Sequence, residues 1–158
     1  MRRFRYWTGE EIGKPDPVVH KDCYLVSTTN VEGRHGLGLA KTARDYWGAK
    51  YGQARGFSGK CWLLPTKNLT KDHYEKETGI IYRRYGRRSL TKEQIRSNVV
   101  DLYNAARENP DKSFIVAYKR TAKNLNGYSA EEIFRIFTWQ IDVPKNIVFH
   151  ESWKGYYN

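Results

Sequence analysis

The sequence predicts an α/β fold, and three observations carry that prediction. Short runs of apolar, β-branched and aromatic residues recur as "CYLVSTTN" (23–30), "CWLLPTK" (61–67), "SFIVAYK" (113–119) and "NIVF" (146–149). Stretches whose apolar residues repeat at helical spacing lie among them. Glycine-containing loops stand at strand ends, most densely in "NVEGRHGLGLA" (30–40). Alternation of this kind implies one sheet with helices on both faces and a site along one sheet edge, where the loops converge. With 158 residues the chain fits a single domain with a real core.

Taken in order, "RRFRYWTG" (2–9) reads as a strand, and "GKPDP" behind it is turn chemistry. Residues 23–30 suit a buried central strand that ends at Asn30. From Leu39, the positions Leu39, Ala43, Tyr46 and Trp47 recur at helical spacing, and Gly48 stops the helix. "GQARGFSGK" (52–60) is a second glycine loop running into the strand 61–67. The segment from Asn68 to Ser89 has no clean period and reads as a long excursion with room for a hairpin; long loops in small domains often carry function. Ser89 or Thr91 caps a helix whose Ile95, Val99, Leu102, Tyr103 and Ala106 form one stripe before "ENPD". In "YSAEEIFRIFTW", Ser129 and Glu132 make a capping box, and Ile133, Ile136 and Phe137 face inward. The "WKGYYN" tail either packs or dangles, and no repeat or low-complexity tract interrupts the pattern.

A formal net charge of +11 and a pI near 9.7 favour a phosphorylated or polyanionic partner. Cys23 and Cys61 both sit in apolar runs, where small reduced thiols are common, and point to a cytoplasmic protein. No apolar run approaches the roughly 20 residues of a membrane span, so no membrane partner is expected. His20, His73 and His150 have no ligand spacing to cysteines or carboxylates, and no metal is expected.

The loop that leaves Asn30 asks for a ligand. Glycines let a backbone approach a bound group closely, and a loop that opens a helix offers N–H groups and positive dipole to an anion. Gly33, Arg34, His35, Gly36, Leu37 and Gly38 are therefore candidates for a phosphate site. His35 either contacts the ligand or bonds loop backbone. Lys67 becomes a nucleophile only where burial or positive neighbours lower its pKa.

The order of these pieces resembles macro-domain proteins: a strand ending in Asn, "GRHGLGLA" into a helix, "GFSGKCWLLPTK", and later "NLNGYSAEEI". The branch in question has a "G-x-G-[LI]-A" loop and an "[LI]-x-T-K" strand, and it includes the terminal ADP-ribose glycohydrolases. Small bacterial and phage proteins carrying "GRHGxGxA" and "PTK" are more similar still. The likeness covers roughly residues 23–150, with 1–22 outside it and an insertion across 68–90. It implies a mixed β-sheet between helices with ADP-ribose, or a related diphosphate or cyclic nucleotide, laid across the strand ends. No other cofactor is implied.

By that resemblance the ligand would meet Thr29, Asn30, the 33–38 loop, Phe57, Ser58, Lys67, Lys123, Asn124 and Asn126. Lys67 matches the lysine that attacks the ribose in the glycohydrolase branch, and its partner there is the aspartate of a "G-C-G-L-D" loop. Here the loop reads "AKNLN", with Ala122 and Asn124 in place of glycines and Asn126 in place of the aspartate. Asparagine neither gives nor takes a proton as a carboxylate does, so binding ranks above hydrolysis. Reading or sequestering an NAD-derived signal, or an ADP-ribosylated macromolecule, is the role implied.

Two alternatives remain open on sequence. An ADP-ribosyl hydrolase or transferase would use Lys67 as nucleophile and His35 as acid/base. A nucleic-acid-binding protein would use "YRRYGRR" (82–88), with Arg83, Arg84, Arg87 and Arg88 on phosphates and Tyr82 or Tyr85 stacking on bases.

Overall fold

A central strand buried on both faces must be apolar along most of its length, and "CYLVSTTN" is such a strand: β2 (Cys23–Asn30). In the computed structural model, which describes residues 4–9, 12–34, 38–70, 72–83, 89–117 and 128–156, β2 lies between two parallel neighbours. These are β4 (Cys61–Lys67) and β7 (Ser113–Val116). With β1 (Arg5–Trp7), β3 (Gly56–Ser58) and β8 (Ile147–His150) they form a six-stranded sheet in the order β1-β8-β7-β2-β4-β3. Every pairing is parallel except β3 with β4, so the sheet is mixed.

Strand alternation sends successive side chains to opposite faces. Leu25 and Leu63 join Ala43 of α1 (Gly38–Tyr46) and Trp47, the residue after it, on one face. Val26, Leu64, Phe114 and Phe149 join α2 (Lys92–Glu108) and α3 (Ala130–Thr138) on the other. The protein is thus an α/β domain with helices on both faces. Gly48, at φ +79°, turns the chain out of α1 and lets Ala49 N reach Ala43 O at 3.1 Å. Thr91 with Gln94, and Ser129 with Glu132, form the capping boxes that start α2 and α3.

Residues 68–89 leave the sheet and return to it. Within them β5 (His73–Glu75) and β6 (Ile80–Tyr82) make an antiparallel hairpin, a separate two-stranded sheet. Arg55 ties it down: its guanidinium donates to both Glu75 carboxylate oxygens, at 3.1 and 2.7 Å, to Asn98 Oδ1 at 2.8 Å and to Tyr82 Oη at 3.0 Å. Pro65 sits beyond the last β3 partner, Gly56↔Leu63, where β4 has lost one neighbour and a missing N–H costs nothing. On the open side of β3, Gln53 Nε2 donates to Arg55 O at 2.9 Å and Phe57 O at 2.7 Å, occupying edge carbonyls.

The two ends of the described chain are built in. β1 pairs with β8, and Trp7 Nε1 donates to Val116 O at 2.9 Å, so residues 4–7 belong to the sheet. A 3₁₀ turn (Glu151–Tyr156) follows β8 and buries Trp153, which stacks on Phe149 at 5.3 Å between ring centroids. Of the two outcomes open for the tail, its first residues pack. Among the described residues no helix is long and apolar enough to cross a membrane.

Candidate functional site

The parallel strands β2, β4, β7 and β8 all point their C-terminal ends the same way, and the loops after them gather at that end of the sheet. Its centre is defined by Asn30 and Lys67, which are register partners at the last residues of β2 and β4. An irregularity between Thr29 and Asn30 shifts the pairing so that Lys67 reaches this level. Lys67 is half-buried and its carbonyl accepts from Val31 N at 2.9 Å.

Asn30 is a clamp on the loop that follows it. Its Nδ2 donates to Arg34 O at 2.8 Å, its Oδ1 accepts from Arg34 N at 2.9 Å, and its own carbonyl accepts from Gly33 N at 3.0 Å. The amide is 8 % exposed and has both ends engaged on backbone, which fixes the direction in which the chain leaves the sheet. Gly33, at φ +73°, packs on the backbone of Gly52, which donates to Gly33 O at 2.9 Å. Arg34 is exposed. His35, Gly36 and Leu37 lie outside the described residues; Gly38 opens α1, whose first turn carries no acidic side chain.

Other expected contacts are placed differently. Thr29 donates its hydroxyl to Ala54 O at 2.5 Å inside the protein and holds β2 to the segment before β3. Phe57 and Ser58 are not at the strand ends. Phe57 pairs with Trp62, which pairs with Val26, four residues before Asn30 and about 13 Å away at roughly 3.3 Å per residue. The reason is the turn at Gly59, which reverses the chain so that β3 runs back along the beginning of β4. Ser58 Oγ accepts from Lys50 N at 2.7 Å, a structural bond. Lys123, Asn124 and Asn126 fall outside the described residues, as does Ala122.

The basic stretch 82–88 is corrected at its first residue. Tyr82 is 2 % exposed, with its hydroxyl inside the Arg55–Glu75 network, so its ring has no face to offer a base. Burial is also what pushes its phenol above the ordinary value. Arg83 is exposed and pairs with Asp72 at 2.7 Å. Arg84, Tyr85, Arg87 and Arg88 lie outside the described residues.

Three residues that the sequence did not single out complete the strand-end framework. Glu32, directly after β2, accepts from Leu69 N at 3.1 Å and Thr70 N at 2.9 Å, fastening the loop after β4 to the loop after β2. Asn68 is fully buried; Nδ2 donates to Tyr82 O at 2.8 Å, while Oδ1 has no hydrogen-bond partner among the described residues. His150, at the end of β8, meets Gly9 O through Nε2 at 2.8 Å. Its Nδ1 receives Ser152 N at 3.1 Å, so the ring proton sits on Nε2. His20 Nδ1 accepts from Asp16 N at 2.8 Å, and His73 Nδ1 is 4.0 Å from Glu32 Oε2. Among the described residues no three His, Cys, Asp or Glu side chains gather as a metal site would require.

Cys61 lies in the core against α1, where burial pushes its thiol up to about 12. Cys23 is half-buried and its thiol is raised in the same way. Neither is activated, because the thiolate is the reactive form and burial disfavours it. No family model matches this chain, and comparison with curated proteins and with solved structures returns no match.

Proposed function

We propose that this protein is a macro-like module that binds ADP-ribose, or a related diphosphate or cyclic nucleotide, across the C-terminal ends of β2 and β4. The observation that carries the reading is the register pair Asn30 and Lys67 at one end of the sheet. From it the clamped loop departs toward the start of α1. In this reading Asn30 acts through the loop it holds, and the diphosphate meets the N–H groups of residues 35–38 and the positive end of α1. Lys67 supplies charge to the ligand. The role proposed is to read or sequester an NAD-derived signal in the cytoplasm of a bacterial or phage-infected cell, and the two free cysteines accord with a cytoplasmic setting.

Calorimetric titration with ADP-ribose, NAD and cyclic dinucleotides tests the reading. Saturable heat with at least one of them is expected, together with a rise in melting temperature. No heat and no thermal shift with any removes it. A hydrolase or transferase at the same place would need a proton donor opposite Lys67; Asn126 supplies none, which leaves that role to His35. Loss of turnover in Lys67→Ala would restore that alternative. The nucleic-acid reading loses one of its two stacking candidates, because Tyr82 is buried, and keeps Tyr85.

A further inference from the structure

A cavity of about 410 Å³ lies between the β3–β4 edge and the outer side of α2. Its chemistry is the opposite of what a +11 chain leads one to expect. Phe57 and Trp62 line its apolar wall, their rings 4.8 Å apart and perpendicular, and Phe57 remains 43 % exposed. Tyr24 packs on the other side of Phe57 at 5.0 Å, holding the ring in place.

The polar floor is already occupied. Arg55 spends its guanidinium on Glu75, Asn98 and Tyr82, and Asn98 spends its amide on Arg55 and Pro65 O, at 2.8 Å each. Four hydrogen bonds thus engage the guanidinium, and Glu75 balances its charge. The rim carries Asp101 and Glu108, two α2 carboxylates spaced about two turns apart on one face. Both are exposed, and neither makes an ion pair among the described residues. Glu108 is also the last residue of α2, where a negative charge opposes the helix dipole. A carboxylate in that position does nothing for the helix.

We propose that this cavity is a binding site for an organic cation, an ammonium or guanidinium group on an aliphatic stem, held between the Phe57–Trp62 wall and the Asp101 and Glu108 carboxylates. Aromatic faces attract such heads, apolar walls cover the stem, and the carboxylates set the sign of the charge. The volume lies within the ordinary range of small-molecule sites. The same head group is carried by free polyamines and by lysine or arginine side chains of a protein, so both sources need testing. The proposal is independent of nucleotide binding.

The experiment is a two-dimensional NMR titration of the full chain with agmatine, with cadaverine, with a short peptide bearing one lysine and one arginine, and with uncharged butylurea. Saturable shifts at Phe57 and at the Trp62 indole are expected with at least one cationic probe and not with butylurea. Response to the peptide alone identifies a protein side chain as the ligand; response to agmatine or cadaverine identifies a free cation. The Asp101→Asn/Glu108→Gln double variant changes only exposed groups, so its melting curve is expected to match wild type while affinity drops about tenfold or more. Phe57→Ala is expected to weaken binding in the same direction. No saturable shift with any cationic probe overturns the proposal. So does an equal response to butylurea, or a double variant that binds as wild type.

Discussion

Gly33 and Gly52 meet backbone to backbone, and no atom fits between them. Gly52 N donates to Gly33 O at 2.9 Å, and a Cβ on Gly33 would run into the Gly52 carbonyl oxygen. Gly33 also stands at φ +73°, which side chains other than glycine's rarely adopt. The glycine nearest to β2 is therefore used to join two loops of the protein itself. Gly33→Ala is expected to cost about 2 kcal/mol or more in urea denaturation. A cost near zero would mean that the two loops separate easily.

Gly38 is the contrasting case within the same motif. It is the first residue of α1. With the diphosphate passing close to it, Gly38→Val is expected to abolish nucleotide binding in calorimetry while moving the melting temperature little. Unchanged affinity in that variant would place the ligand elsewhere.

Asn30 joins stability to recognition. Asn30→Ala removes two hydrogen bonds to Arg34 and leaves its backbone groups without their partners. A loss of about 1–3 kcal/mol in stability is expected. Nucleotide affinity should fall with it. Asn30→Asp keeps the acceptor for Arg34 N and loses the donor to Arg34 O, and an intermediate effect on both measurements is expected.

Arg55 and Glu75 form the buried ion pair that carries the hairpin, with side chains 17 % and 1 % exposed. Glu75→Ala strands the guanidinium in a partly dry site and is expected to destabilise by about 3–5 kcal/mol. Amide exchange should show the loss first in residues 73–82. An Arg55→Met/Glu75→Leu double variant should recover part of the stability, because it removes both charges together. Equal destabilisation in the two variants would show that shape, and not the unpaired charge, sets the cost.

Acid should weaken the fold through three carboxylates. Two backbone N–H groups, of Val19 and Val18, hold Asp16 below the usual carboxylate range. The Lys41 ammonium does the same for Asp45, and Lys92 for Glu132. A group whose pKa is lower folded than unfolded stabilises above its unfolded pKa, and that contribution is lost as pH falls through the folded value. Melting temperature should therefore decline as pH drops below about 4, and less steeply in Asp16→Asn. An identical acid branch in that variant would exclude Asp16 from the effect.

What was legible in the sequence was local. Ser129 and Glu132 are three residues apart and fix the start of α3 by themselves, and Thr91, one of the two caps open for α2, is the one that starts it. The apolar runs 23–30 and 61–67 became β2 and β4 with the same bounds. What was not legible depends on partners far along the chain. Arg55 finds Glu75 across 20 residues and Asn98 across 43, and nothing local in "GQARGFSGK" marks that arginine. Phe57 and Ser58 stand away from Asn30 because β3 reverses at Gly59 and runs back along β4, which nearness to "PTK" in sequence does not show. Tyr82 reads as a surface ring among arginines until hairpin pairing turns it inward.

The pairing of Arg5 with Val148 has a consequence for the order of events during synthesis. β2, β4 and β7 can assemble once residue 116 has left the ribosome, whereas β1 has no neighbour until β8 emerges. The strand β1, made before β2, therefore finds its place after β7. Closing so long a loop makes this a late and slow contact. Until then the pairing partners of Arg5, Tyr6 and Trp7 on β8 are missing.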